Sequence, residues 1–442
     1  MLTCGAAKKV ITPALPIHLA GYRDDLIATG VNDDLHVTAN YFDDGQGKAL
    51  LLTFDLIHIK QDFIAEVQAA CAKATGLPPR SILTTSSHSH STPFINKPNE
   101  KDPPEIQERA ARFRALVIDR AAQTAGEAQN KAEPVSVAYN YTRIRENINR
   151  RIFFPGGEYF YQPKQKVLQA IEDGYIEEEL FFMFFRSLKT KNYLSVLVNY
   201  TAHPLTIGDS APLISADYPG ALKKEIERNL GGTAVFINGA CGDNHPKGAE
   251  AGLARCERMG QALAEKVLYH RWDAVDLDVT SIGTDYRPLA LPIMDEKTFA
   301  NIPYNFEVGN YRGQSREKYP DGYLHTFASL LAIGPILFVG VPGEVSAETG
   351  ARLKWESPFP KTAVMFQATD SIGYMVHPNA YAWGGYEVLT SPVGPKASRI
   401  MCDSVLDGAD VLKCALEARG PKLRLPGQGK GSIPGNNPGQ AR

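Results

Sequence analysis

Short apolar runs closed by Gly, Pro or Asp alternate along this chain with longer stretches of helical spacing. That alternation predicts an α/β fold. Residues 5–12 form a first predicted strand, closed by Pro13. Strands over 35–41 and 49–55 flank Asp44-Gly45-Gln46-Gly47, a hairpin signal. Phe63, Ile64, Val67, Ala70 and Cys71 recur at helical spacing over 61–74 and stop at Gly76, and 81–86 follows as a buried strand. Strand, helix, strand in that order is a βαβ unit.

Helices are predicted next over 106–132, 165–174, 219–229, 250–272, 346–355 and 397–415. Strands are predicted over 135–144, 180–185, 193–199, 233–238, 279–286, 324–333, 335–341 and 363–368. The expected architecture is a mixed β-sheet core flanked by helices. No internal repeat or linker interrupts it, so residues 1–420 are expected to be a single domain. From 421 to 442 the chain is Gly, Pro, Gln and Lys with no apolar pattern, the composition of a disordered tail.

Composition narrows the function. A formal charge of −2 over 442 residues lacks the basic excess of a nucleic-acid binder. No apolar run is long enough to span a membrane, so no integral membrane association is expected. Met1-Leu2-Thr3-Cys4-Gly5 shows no secretion signal, and the six cysteines form no CxxC pair or dense framework. These features lead us to expect a cytoplasmic protein with reduced thiols. Nothing in the sequence sets an oligomeric state.

Chemistry concentrates where predicted strands end. The strand over 81–86 runs out into Ser87-His88-Ser89-His90-Ser91-Thr92-Pro93, and that over 193–199 into Tyr200-Thr201-Ala202-His203-Pro204. The strand over 233–238 opens into Gly239-Ala240-Cys241-Gly242-Asp243-Asn244-His245-Pro246, and that over 335–341 into Pro342-Gly343-Glu344. Carboxyl ends of strands are where open α/β sheets bind ligands. Two or three histidines with one carboxylate form a zinc set that leaves room for water. Each residue also has a plain reading: serine-bonded loop histidines, an ordinary His-Pro loop, and in Glu344 a carboxylate favoured by a helix N-terminus.

The same segments carry a resemblance to the neutral, non-lysosomal ceramidase family. Ser87 to Pro93 resembles its Thr-His-Thr-His-Ser-Gly-Pro segment, and Asn147-Ile148-Asn149-Arg150 its Asn-x-Asn-Arg motif. Asn199 to Pro204 resembles its Asn-x-x-x-His-Pro stretch, Pro342-Gly343-Glu344 its Pro-Gly-Glu, and Ile11-Thr12-Pro13 its opening Ile-Thr-Pro. Gly373-Tyr374 and Gly385-Tyr386-Glu387 match its two tyrosines, twelve positions apart. Together the motifs span about residues 5–400.

The resemblance implies one Zn2+ per chain, with His88, His203, Glu344 and Tyr374 as ligands. It implies His90 as the base, and Arg150 and Tyr386 as donors to a developing oxyanion. The fold it implies is the family's N-terminal amidase-type domain without the immunoglobulin-like domain that usually follows. In the turn where the family carries a serine, this chain has His245, expected to serve in catalysis, with Asp243 and Asn244 meeting substrate. Trp383, near Tyr386, offers a flat face for substrate.

The expected activity is zinc-dependent hydrolysis of an amide (N-acyl) bond in a small-molecule substrate smaller and more polar than ceramide. Alternatives are an ester or sugar-linked substrate at the same site, or a non-catalytic binding protein. No Gly-x-Ser-x-Gly elbow, Gly-x-Gly-x-x-Gly or Walker loop occurs.

Overall fold

The computed structural model describes the chain except residues 23–25, 96–102, 154–158, 162–171, 249, 280, 304–312, 421–422 and 427–442. A large sheet is built from β1 (Thr3–Val10), β2 (His36–Asp43), β3 (Lys48–Phe54), β4 (Ile82–Ser86), β5 (Glu133–Arg143), β6 (Glu179–Ser187), β7 (Tyr193–Tyr200) and β8 (Thr233–Asn238). Their spatial order is β8-β7-β6-β5-β1-β2-β3-β4, and Val275–Leu277 adds to β5. The β3/β4 and β7/β8 pairs are parallel and the other ladders along this path are antiparallel. A second sheet comprises β9 (Ile282–Pro292), β10 (Tyr323–Ile333), β11 (Ile336–Gly340) and β12 (Lys361–Met365), with β11 and β12 parallel.

The expected mixed sheet is present, but a second sheet stacks on it. The residues of β6 explain why. Side chains alternate between the two faces of a strand. Leu180, Phe182 and Phe184 pack with α3 (Asp217–Leu230) and α4 (Leu253–His270), while Phe181, Met183 and Phe185 pack against Phe338, Ile336 and Met365 of the second sheet. A strand apolar on both faces must be covered on both. Likewise Leu50, Leu52 and Phe54 of β3 face α1 (Gln61–Thr75) and α2 (Pro104–Asn130), whereas Ala49 and Leu51 face the inter-sheet core.

The outer side of the second sheet carries α5 (Ala347–Trp355) and α6 (Ala397–Glu417), packed through Leu353, Met401, Val405 and Ala409. The layers are therefore helix, sheet, sheet, helix. Phe181, Phe185 and Phe338 are fully buried between the sheets, each contributing on the order of 1.5–3 kcal/mol by leaving water.

One weak joint shapes everything downstream. β1 pairs with β5 only through Thr3↔Pro134 and Cys4↔Glu133, so the large sheet opens there into two halves. Buried side chains tie the halves together again: Asn40 Nδ2 donates to Ser195 Oγ (2.7 Å), and Asn238 Nδ2 to the Ser87 carbonyl (3.0 Å). The end of β12 fills the junction. Phe366 N donates to Asn238 O, Thr85 Oγ1 to Phe366 O, and Asn199 Nδ2 to Val364 O. The carboxyl ends of β4, β7, β8, β11 and β12 thus converge, although they belong to two sheets and to opposite edges of one.

Most predicted elements stand where the spacing puts them. One correction concerns 165–174: Glu172–Asp173 is a strand pairing with Ile152 and Phe153, and the rest of that predicted helix, 165–171, lies outside the described residues. The predicted tail also lies outside them, except 423–426, where Leu423 is buried against the α6 layer and packing continues past Pro421. No helix among the described residues is long and apolar enough to cross a membrane. The six cysteines are unpaired, and all but Cys414 are buried.

Candidate metal centre and its polar frame

His88 sits two residues past β4. Its amide donates to the Leu56 carbonyl, and its backbone is held at φ 71°, in the left-handed region. A non-glycine residue kept there marks a constraint the surroundings enforce. His90, next along, has its amide on the Pro204 carbonyl. His203, from the β7 exit, has its amide on the Asn244 carbonyl of the β8 exit. Three loops are stitched together by backbone bonds before any side chain is considered.

The rings follow one rule. Nδ1 of His88 faces Ile57 O at 2.6 Å, Nδ1 of His203 faces Cys241 O at 2.6 Å, and Nδ1 of His90 faces Gly21 O at 2.9 Å. A carbonyl only accepts, so each Nδ1 carries a proton, and in the neutral ring Nε2 then presents its lone pair. The three rings offer nitrogens that all lie within 4.8 Å of one another.

Glu344 adds an anion to this group. Its Oε2 lies 3.5 Å from His88 Nε2 and 3.3 Å from His203 Nε2. Both His203 Nε2 and Glu344 Oε2 are buried with no hydrogen-bond donor. His88 Nε2 and His90 Nε2 are 3.3 Å apart. Lone pairs aimed at each other and at a carboxylate repel unless a cation sits among them. Holding ring Nδ1–H groups on carbonyls is how proteins orient metal-binding imidazoles.

Titration points the same way. Burial brings His203 down to about 4, against the pull of Glu344. Burial, then the neighbouring His88 and His203, push His90 well below the usual imidazole range. Burial would raise the Glu344 carboxyl, but the facing histidines hold it well below the usual carboxylate range. Neutral imidazoles, as at His203 and His90, are the state in which a ring nitrogen can ligate a metal or take a proton. Phe366 floors the cluster, its ring 5.0 Å from that of His88 and 6.3 Å from that of His203.

Tyr374 lies beside Glu344 in a short parallel pairing, Glu344–Val345 with Tyr374–Met375. The buried phenol accepts from Arg150 Nη2 (3.2 Å). Arg150 enters from the pairing of Asn147–Asn149 with Asn244–Pro246, its amide on the Asp243 carbonyl. Its Nη1 donates to His245 Nε2, and its Nε to Glu387 Oε1 at 2.5 Å. The guanidinium lies 5.5 Å from the ring centres of both Tyr374 and Tyr386.

His245 is buried, its ring 4.8 Å from that of His203. Burial first, then Arg150, push it well below the usual imidazole range, so it is a neutral acceptor for the guanidinium. Tyr386 is half-buried against Tyr374, ring centres 5.5 Å apart. Trp383, 40% exposed, ends the turn Pro378–Ala382 three residues earlier.

Asp243 and Asn244, expected at the substrate, are spent on the frame. Asp243 Oδ1 accepts from Ala347 N at the start of α5, and Oδ2 from Asn149 Nδ2. It supplies the anion that the helix N-terminus favours, which frees Glu344 from that plain reading. Asn244 Oδ1 accepts from Asn147 Nδ2 and Glu177 N, while its Nδ2 donates to Tyr175 O. Gly242 completes the turn: a Cβ there would meet Val345 O at 2.7 Å and Glu344 O at 2.8 Å.

Sequence spacing did not single out Arg151, Glu387 or Phe366. Glu387 was legible only as the neighbour of Tyr386, and its partners come from a segment more than two hundred positions away.

Two solved structures share this architecture. The crystal structure of neutral ceramidase from Pseudomonas aeruginosa matches with a TM-score of 0.72 at 16% identity, over 93% of this chain and 75% of that one. A structure of ceramidase complexed with C2 matches with a TM-score of 0.74 at 15% identity, over 96% and 76%. The chain has the neutral ceramidase fold. No protein-family model and no curated protein sequence matches it.

Proposed function

We propose that residues 1–420 act as one catalytic unit, a zinc-dependent hydrolase that cleaves an amide (N-acyl) bond in a substrate smaller and more polar than ceramide. The observation that carries this reading is the set of inward-facing, donorless atoms: Nε2 of His203 and Oε2 of Glu344, with Nε2 of His88 beside them. The ceramidase fold supports it.

His88, His203, Glu344 and Tyr374 would hold one Zn2+. Zinc in such a set makes water acidic near neutral pH and polarises a carbonyl. His90 is the group we assign to take the proton, its Nε2 3.3 Å from His88 Nε2 at the edge of the cluster and its Nδ1–H fixed on Gly21 O. Arg150 and Tyr386 donate to the oxyanion as the carbonyl turns tetrahedral. His245 keeps Arg150 in place. Asp243 and Asn244 hold the turn that carries His245. A flat, partly exposed Trp383 beside Tyr386 favours a second reading, a sugar-linked or ester substrate at the same site.

Elemental analysis of untagged, chelator-washed protein tests the first point, with His203→Ala alongside. We expect close to one zinc per chain, lost together with hydrolysis in the variant. No tightly held metal in either protein would sink the hydrolase and favour a binding protein.

A further inference from the structure

We propose that Glu387 is a positioning residue that locks the two oxyanion donors, Arg150 and Tyr386, into one rigid unit. The inference rests on the hydrolase reading and adds a role the metal chemistry does not supply.

Glu387 is fully buried, and it follows Tyr386 in the single turn Tyr386–Leu389. One carboxylate oxygen takes Arg150 Nε (2.5 Å) and the other takes Arg151 Nη1 (2.6 Å). Arg151 Nη2 then holds the Gly384 carbonyl (3.0 Å), two residues before Tyr386. The loop carrying the phenol is thereby pinned to the backbone carrying the guanidinium, from both sides of one carboxylate.

Arg150 is restrained on further edges by His245 and Tyr374. A guanidinium held at several nitrogens has little orientation left to lose when charge develops nearby, which is what an oxyanion donor needs. Burial alone would push the Glu387 carboxyl up, yet Arg150 and Arg151 bring it down to about 2. It stays an anion, as a clamp on two cations must. Substituting glutamine keeps the shape but removes the charge between two buried guanidiniums.

Non-additivity separates positioning from mere structural support. Zinc-loaded wild type, Glu387→Gln, Arg150→Ala and the double variant are assayed on p-nitroacetanilide, with metal content measured for each. We expect Glu387→Gln to retain zinc and to lose roughly 100-fold in kcat, the cost of a misplaced oxyanion donor. In the Arg150→Ala background the same change should cost less than about twofold more. Losses that multiply, or zinc lost from Glu387→Gln, overturn the proposal.

Should Glu387→Gln not fold, Arg151→Lys takes its place: it keeps the charge, gives up the forked hold, and should show the same non-additivity with Arg150→Ala. A wild type without zinc or turnover would defeat the hydrolase reading alone. The clamp is then read from the Arg150 Nε–H resonance, identified by its loss in Arg150→Ala. Slow exchange in wild type that becomes fast in Glu387→Gln supports it; unchanged exchange refutes it.

Discussion

Two ionic clusters in this molecule, both largely withdrawn from water, are built on opposite principles. In one, Lys354 Nζ meets Glu177 and Glu179 at 2.8 Å each, and Lys361 also pairs with Glu179. Two cations face two anions, and these pairs link β6, β12, α5 and the segment before β6. In the other, three imidazole nitrogens and a carboxylate oxygen converge, and His203 Nε2 and Glu344 Oε2 have no hydrogen-bond partner. The first cluster is electrostatically complete and serves the fold. The second is complete only with a cation added, and it sits where five strand ends meet. Buried charge by itself says little about function; acceptors gathered with no cation among them say more.

Substitutions sharpen this contrast. His90→Ala should keep its zinc, measured by elemental analysis, and lose turnover by about 10²–10⁴-fold, the range for a general base. Zinc lost along with turnover would make His90 a ligand and end the division between ligand and base.

Lys354→Met breaks the balanced cluster and should cost up to about 3 kcal/mol of stability by denaturant unfolding, because it leaves two half-buried carboxylates with one lysine between them. Zinc content of the folded fraction should stay at the wild-type level. A loss of zinc there would mean the two clusters are coupled after all.

Acid should act more gradually. Glu179 and Glu387 are both held at about 2 in the folded protein against an ordinary 4.5: burial opposes the shift, and their lysine and arginine partners impose it. A carboxylate lowered on folding stabilises fully above its unfolded pKa and loses that contribution as pH falls through the folded one. For metal-free protein we expect the melting temperature to drop as pH falls from about 4.5 towards 2, and the Glu387→Gln variant to drop less steeply over that window.

Local pattern made much of this legible. Helical and alternating spacing located most elements, since a side chain's face follows from backbone period alone. His88, His203 and Glu344 stood out because each follows an apolar run that ends in turn residues. Other assignments needed distant partners. Asp243 looks like a loop carboxylate until Ala347 is placed beside it, and Glu387 looks like a surface residue until Arg150 and Arg151 arrive.

The amino-acid sequence by itself determined the periodic elements, the residue types at their ends and the motifs that resemble ceramidase, because these depend only on neighbours along the chain. Only the tertiary structure decided that two sheets stack, that the large sheet opens at β1, and that ends from both sheets meet. It also decided which polar groups are spent on the frame and which are left without a donor. Those outcomes depend on which buried groups find partners across the fold, and that is settled by packing between segments far apart in the chain.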